Sequence, residues 1–175
     1  ALEALRIRLL VQNSIHQPIS VQETLLNEAR RWAEAQGLSD VLSQVDSWRG
    51  QLRYRQGRFE EAARLHERAR LLARSLLRRL SATLSAASCW LEWGDAARCL
   101  NTAQEAQVTA AEARHLIFEA RAEWLSRSAL YRMGRALSPD ESLIKATLRL
   151  DTSIWKGLIL LTEATICWRY QSPRF

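Results

Sequence analysis

Apolar residues are spread through long stretches that are rich in alanine, leucine, arginine, glutamate and glutamine, all of which favour helices. These stretches lack the alternation of Val, Ile or Thr with polar residues that marks a half-buried strand. Six glycines and three prolines among 175 residues leave little room for long loops. The pattern predicts an all-α fold of about nine helices. Their expected ranges are 2–14, 19–36, 39–56, 58–75, 77–93, 95–111, 114–133, 138–150 and 153–170.

Three glycines at expected helix ends mark an internal repeat. Gly57, Gly94 and Gly134 stand 37 and 40 residues apart, and an alanine follows each of them after twelve residues. Each glycine lies between two apolar helical stretches, so each unit is expected to be a pair of antiparallel helices joined by a tight turn. A weaker unit upstream has Gln17 and Pro18 at its turn. The predicted units of this single domain are 1–36, 39–75, 77–111 and 114–150, followed by a final helix at 153–170.

The segment WRGQLRYRQGRFEEAARLHERA, residues 48–69, resembles a tetratricopeptide repeat. Its matching small and aromatic residues are Gly50, Gly57, Phe59, Ala62 and Ala69. The following unit keeps the pattern at Ala87, Trp90, Gly94 and Ala106, with Cys99 in place of an alanine. The unit that turns at Gly134 departs from the pattern, because Arg127 and Pro139 stand where small residues are expected. Its clearest helix start is Ser138-Pro139-Asp140-Glu141, with the serine as cap.

The resemblance implies a helical-hairpin solenoid wound as a right-handed superhelix, in which Gly50 and Ala62 face each other where two helices approach closely. The repeat spacings exceed the roughly 34 residues typical of the family. They are similar to the longer-helix variants in sensor regions of multidomain signalling ATPases and transcription regulators. An armadillo-like or other helical solenoid is the alternative fold.

The resemblance also implies a concave groove lined by the first helix of each pair. The residues that the family's pattern places in it as partner contacts are Gln51, Tyr54, Arg55, Ser88, Arg121, Trp124, Ser128, Tyr131 and Arg132. The same offsets give Leu91 and Glu92. Arginines outnumber acids among these positions and aromatic residues accompany them, so the expected partner is an acidic peptide with a hydrophobic anchor. The alternative is that the tyrosines pack between helices and the arginines are solvated.

The formal net charge of +6 is unevenly distributed. Residues 58–80 carry seven arginines against three glutamates. Within this band Arg70, Arg74 and Arg78 recur at intervals of four, which predicts one shared helix face. A solvated outer face is the preferred interpretation, and a nucleic-acid-binding stripe is the alternative.

Enzymatic chemistry is not indicated by any motif. His16, His66 and His115 fall on different predicted helices without metal-ligand spacing, and no phosphate-binding loop or nucleophile motif occurs. The three cysteines lack CxxC spacing, so no metal, cofactor or disulfide framework is expected. Trp32, Trp48 and Trp90 are expected on apolar helix faces in the core. The three cysteines lie beside Trp90, Leu100 and Trp168, which favours a buried, inert role for them.

No apolar run reaches the roughly 18 residues of a membrane span, and no signal peptide is evident, so a cytoplasmic location is expected. Apolar residues surround much of the final helix at 153–170, which predicts further repeats, a second subunit or a partner domain against it. The first residue is Ala1, which hints at a piece of a longer chain. The sequence therefore favours a protein-binding scaffold within a larger signalling or regulatory protein. A nucleic-acid-binding solenoid and a ligand-sensing domain are the alternatives.

Overall fold

The computed structural model describes residues 17–135, 140–148, 159–164 and 166. These residues form helices and connections and no strands, which confirms the all-α prediction. The helices are α1 (Ile19–Ala35), α2 (Ser39–Arg55), α3 (Phe59–Leu72), α4 (Leu76–Trp93), α5 (Ala96–Glu112), α6 (Leu116–Arg132) and α7 (Glu141–Leu148). Residues 159–164 are also helical.

Every helix predicted between residues 19 and 150 has a counterpart, with ends that differ by at most three residues. The predicted helix at 2–14 lies outside the described residues, and the one at 153–170 is described only at 159–164 and 166. The described count is therefore seven helices and one helical segment, against nine predicted. None of the described helices combines the length and the apolar character needed to cross a membrane.

The helix predicted to begin at Ser138 begins instead at Glu141 in α7. Asp140 caps it, because its Oδ1 accepts a hydrogen bond from the backbone N–H of Leu143 at 3.0 Å. An aspartate at this position satisfies an amide that has no partner within the helix.

The chain divides into two compact units, residues 1–89 and 90–175. In the first unit, α2 packs against both α1 and α3. Trp32 and Trp48 pack on a core of buried aliphatic side chains, as predicted. That core consists of Leu26, Ala29, Ala33, Val41, Val45 and Leu52.

The contact between α2 and α3 is close, and small residues make it possible. Ala62 and Ala69 of α3 are fully buried, and the Oγ of Ser43 donates to the carbonyl of Ala69 at 2.7 Å. A Cβ atom at Gly50 would lie 2.7 Å from Nε2 of His66, and the three atoms nearest to it all belong to that imidazole. Gly50 thus makes room for His66, one helical turn beyond the Ala62 that the sequence had placed opposite it.

In the second unit, α6 packs against α5 and α7. Ala103, Ala106 and Ala110 line the buried face of α5. Trp90 and Cys99 are buried as predicted, and burial raises the pKa of the Cys99 thiol to about 12. Trp124 packs on a second cluster that consists of Ala120, Leu143 and Ile159.

Five helices end in the same turn, at Gly37, Gly57, Gly94, Arg114 and Gly134, where φ is positive. At Gly57 the turn residue donates its N–H to the carbonyl three residues back, and Arg58 donates to the carbonyl five residues back. The other four turns repeat both hydrogen bonds, which together define a Schellman motif. The turns predicted at Gly57, Gly94 and Gly134 are therefore confirmed, and those at Gly37 and Arg114 are additional.

Candidate functional site

A pocket of about 260 Å³ lies within the second unit, between the end of α4, one face of α6 and three residues near the end of the chain, Leu161, Thr162 and Ile166. We call it the α6 pocket. Its lining residues are Leu91, Glu92, Trp124, Ser128, Tyr131, Arg132, Leu161, Thr162 and Ile166.

Four of the nine predicted partner contacts meet in this pocket. Trp124, Ser128 and Tyr131 follow the i, i+4, i+7 spacing that places side chains on one face of a helix, and Arg132 is the next residue. Leu91 and Glu92 of α4, which the same offsets selected, line the pocket as well. The structure therefore brings together the predicted positions of two successive units.

The other five predicted contacts do not line the α6 pocket. Arg121 is buried on α6, while Gln51 and Arg55 are exposed on α2. Tyr54 is half-buried and packs edge-on against Phe59, with ring centroids 5.3 Å apart. Ser88 is half-buried, and its hydroxyl donates to the carbonyl of Leu84 at 2.9 Å.

Polar contacts hold Thr162 and Glu163 against α6. The indole N–H of Trp124 donates to the Oγ1 of Thr162 at 2.7 Å. Beside it, Nε and Nη2 of Arg127 donate to the two carboxylate oxygens of Glu163 at 2.5 and 2.8 Å. The backbone N–H of Asp140 adds a third hydrogen bond to Glu163, at 3.0 Å.

This ion pair explains why Arg127 departs from the repeat pattern. Arg127 and Glu163 are both buried, and a buried charge is tolerated only when it is paired and hydrogen-bonded. Arg127 therefore occupies a position where other units carry a small residue, because Glu163 neutralises it. The sequence signal for this pair is the acidic residue within the apolar run from 154 to 170.

Arg132 lies at the edge of the α6 pocket. Its Nη1 donates to the carbonyl oxygen of Leu91, near the end of α4. The same carbonyl accepts the N–H of Gly94 in the turn, and carbonyls in the last turn of a helix carry partial negative charge, so they also favour a guanidinium there. The Oε2 of Glu92 lies 3.7 Å from Nη2 of Arg132, and both side chains are about two-fifths exposed.

Ser128 contributes a buried polar atom to the pocket wall. The residue is 7% exposed, and its Oγ has no hydrogen-bond partner among the described residues. A buried hydroxyl without a partner costs free energy, and because this oxygen has almost no accessible surface it offers no direct contact to a ligand.

The predicted arginine stripe at Arg70, Arg74 and Arg78 is wrong. Helix α3 ends at Leu72 and the backbone is extended at Ala73, so the three arginines do not share a helix. Arg78 of α4 forms an ion pair with Asp40 of α2. The Oδ1 of Asp40 also accepts a hydrogen bond from the backbone N–H of Arg74 at 3.3 Å.

Ion pairs also neutralise other arginines of the basic band at 58–80. Arg58, just before α3, pairs with Glu61 at 2.6 Å, and Arg64 of α3 pairs with Glu60 at 2.7 Å, both on the protein surface. Arg68 pairs at 3.1 Å with Asp46, a carboxylate of α2 that is 1% exposed. This arrangement agrees with the preferred interpretation of the band as a solvated outer face.

Among the described residues, no group of three His, Cys, Asp or Glu side chains could hold a metal ion. Comparison of the chain with protein-family models and with curated proteins finds no match. The resemblance to tetratricopeptide repeats therefore stays a prediction from the residues that carry it.

Proposed function

We propose that this chain is a helical-repeat scaffold, with a solenoid fold similar to that of tetratricopeptide repeats, and that it binds a protein or peptide partner. The observation that carries this proposal is the α6 pocket, where four predicted partner contacts meet on one helix face. Such a domain would act as the sensing or docking region of a larger signalling or regulatory protein.

The size of the pocket favours a peptide side chain over a free small molecule. Pockets that enclose a drug-sized ligand have volumes of about 300–1,000 Å³. The α6 pocket, at about 260 Å³, is smaller, and its walls include the exposed Leu161. One large side chain of a partner would fill it, while the rest of the partner would lie on the surface.

The charge distribution favours a protein partner over a nucleic acid. Four of the seven arginines at 58–80 form ion pairs with carboxylates, so much of the basic band is neutralised. A surface that binds phosphates needs cations that are available to replace counterions.

Selection from a random peptide library tests the proposal. The immobilised protein is expected to enrich sequences with a carboxylate and a large apolar side chain, and a charge-reversed variant with Arg132→Glu and Tyr131→Ala should lose them. Arg74→Glu with Arg79→Glu, at exposed positions of the basic band, is the control and should retain them. Failure to enrich any peptide, together with tight and strongly salt-dependent binding of a DNA or RNA oligomer, would contradict the proposal.

A further inference from the structure

The position of Arg132 suggests how the α6 pocket selects its ligand. A guanidinium has five N–H donors, and the bond to the carbonyl of Leu91 uses one of them while it fixes the group at the pocket edge. Glu92 is within ion-pair distance at 3.7 Å, but this separation is too long for a hydrogen bond. A ligand carboxylate could make a direct charge-assisted hydrogen bond to Arg132, which Glu92 does not make.

The pocket walls indicate what accompanies that carboxylate. Trp124 and Tyr131 present aromatic rings, and aromatic pairs gain stabilisation beyond the burial of their area. A flat aromatic ring therefore suits these walls better than an aliphatic chain. Indole and phenol groups supply such a ring.

We propose that the α6 pocket binds an aromatic side chain of a peptide that carries a carboxylate on the same or the adjacent residue, and that Glu92 competes with this carboxylate for Arg132. This inference rests on the proposed function, because it names the ligand chemistry of the same site. Because it competes for Arg132, Glu92 lowers the affinity for acidic ligands more than the affinity for ligands without a carboxylate. Removing the charge of Glu92 therefore raises the affinity for acidic ligands selectively.

Matched small probes test the carboxylate. N-acetyltryptophan and N-acetyltryptophanamide share the indole and differ in charge. N-acetyl-aspartyl-tryptophanamide and N-acetyl-asparaginyl-tryptophanamide place the same difference on the neighbouring residue. N-acetylleucine, which is acidic but lacks the ring, controls for the aromatic requirement.

Two-dimensional ¹H–¹⁵N spectra provide the readout through the indole N–H of Trp124. The chain has seven tryptophans, and the signal that disappears in Trp124→Phe identifies this one. Trp32 and Trp48, in the core of the other unit, are internal controls whose signals should not move. Titrations at millimolar probe concentrations then give a Kd for each probe at the α6 pocket.

We expect each acidic tryptophan probe to bind about two- to fivefold more tightly than its neutral mate, as suits one partly exposed ion pair. Arg132→Gln should remove this preference and Glu92→Gln should widen it. Arg135→Gln, an exposed arginine just beyond α6 that does not line the pocket, should leave it unchanged. N-acetylleucine should bind more weakly than N-acetyltryptophan.

Other outcomes separate this inference from the proposed function. Equal affinity within both probe pairs would overturn the role of Arg132 and Glu92, although the pocket would still bind aromatic side chains. An unmoved Trp124 signal with all probes would overturn the α6 pocket as the anchor site. In either case, peptide enrichment in the library selection would leave the scaffold function standing, with a different recognition surface.

Discussion

The backbone of Gly50 lies against the imidazole of His66, so closely that a Cβ atom there would be 2.7 Å from Nε2. Both residues are buried at the contact between α2 and α3. His66 is 4% exposed, so its imidazole has little room to give way, and a side chain at position 50 would overpack the contact. The contact explains why a glycine persists in a helix interior, where it costs about 1 kcal/mol relative to alanine.

Gly50→Ala is expected to lower the free energy of unfolding by about 1–3 kcal/mol, because the new methyl group overpacks the contact. The same substitution in a His66→Ala background should have the opposite sign and stabilise by up to about 1 kcal/mol, because only the helix propensity remains. Urea unfolding of the four proteins measures both values. A destabilisation that is equal in the two backgrounds would show that His66 is not the obstacle.

Arg114 adopts a φ of +53° in a turn where four equivalent helix ends carry glycine. A left-handed conformation costs an ordinary residue roughly 1–2 kcal/mol. Arg114→Gly should therefore raise the free energy of unfolding by about 1 kcal/mol. Gly94→Ala is the matched control and should lower it by a similar amount. Thermal or urea unfolding tests both substitutions. A loss of stability in Arg114→Gly would show that the left-handed conformation of Arg114 is not strained.

Most of the fold prediction rested on the turn glycines. A Schellman motif places one residue in the left-handed conformation, which favours glycine, so these turns are visible in the sequence. Arg114 adopts the same turn without that signal, so its left-handed conformation could not be predicted. The end of α3 was predicted three residues too late, at 75 instead of Leu72, since Ala73-Arg74-Ser75 contains neither glycine nor proline. The arginine stripe was wrong for that reason.

The grouping of Trp124, Ser128 and Tyr131 was predicted from the repeat resemblance, whose offsets also match the spacing of one helix face. The wall formed by Leu161, Thr162 and Ile166 could not, because it depends on how distant parts of the chain pack. The same holds for Arg127 and Glu163, which are 36 residues apart in the chain.

Removing one partner of the buried pair between Arg127 and Glu163 should be costly. Arg127→Leu leaves an unpaired buried carboxylate, and we expect a loss of about 3–5 kcal/mol in the free energy of unfolding. The double variant with Arg127→Leu and Glu163→Leu should recover most of that loss, because an apolar pair carries no desolvation cost. A double variant as unstable as the sum of the two single variants would contradict this coupling.

The control for this cycle is the exposed pair of Arg64 and Glu60 on α3, whose side chains are 69% and 39% exposed. Arg64→Leu should change the free energy of unfolding by less than about 1 kcal/mol, because solvent screens the pair. A similar loss in the free energy of unfolding at both pairs would mean that burial is not the reason for the large effect of the contact with Glu163.

Asp46 is expected to give the stability of the first unit a distinctive pH dependence. Burial raises the pKa of its carboxyl above the ordinary 3.8, although the charges of Arg68, Arg30 and Arg49 oppose the shift. The folded chain thus binds this proton more tightly than the unfolded chain does. The contribution of Asp46 to stability is full below pH 3.8 and is lost as the pH rises through the raised pKa.

Asp46→Asn removes this titration, so the stability of the variant relative to the wild type should increase as the pH rises through that window. Urea unfolding of both proteins at about pH 3 and about pH 7 measures the difference.

Glu23→Gln supplies a control of opposite sign. A hydrogen bond from Arg53 lowers the pKa of Glu23, so its contribution is present above the ordinary 4.5 and is lost as the pH falls through the lowered pKa. Glu23→Gln should therefore lose stability relative to the wild type at neutral pH and recover it in acid. If both variants changed in the same direction, burial of Asp46 would not be the cause of its shift.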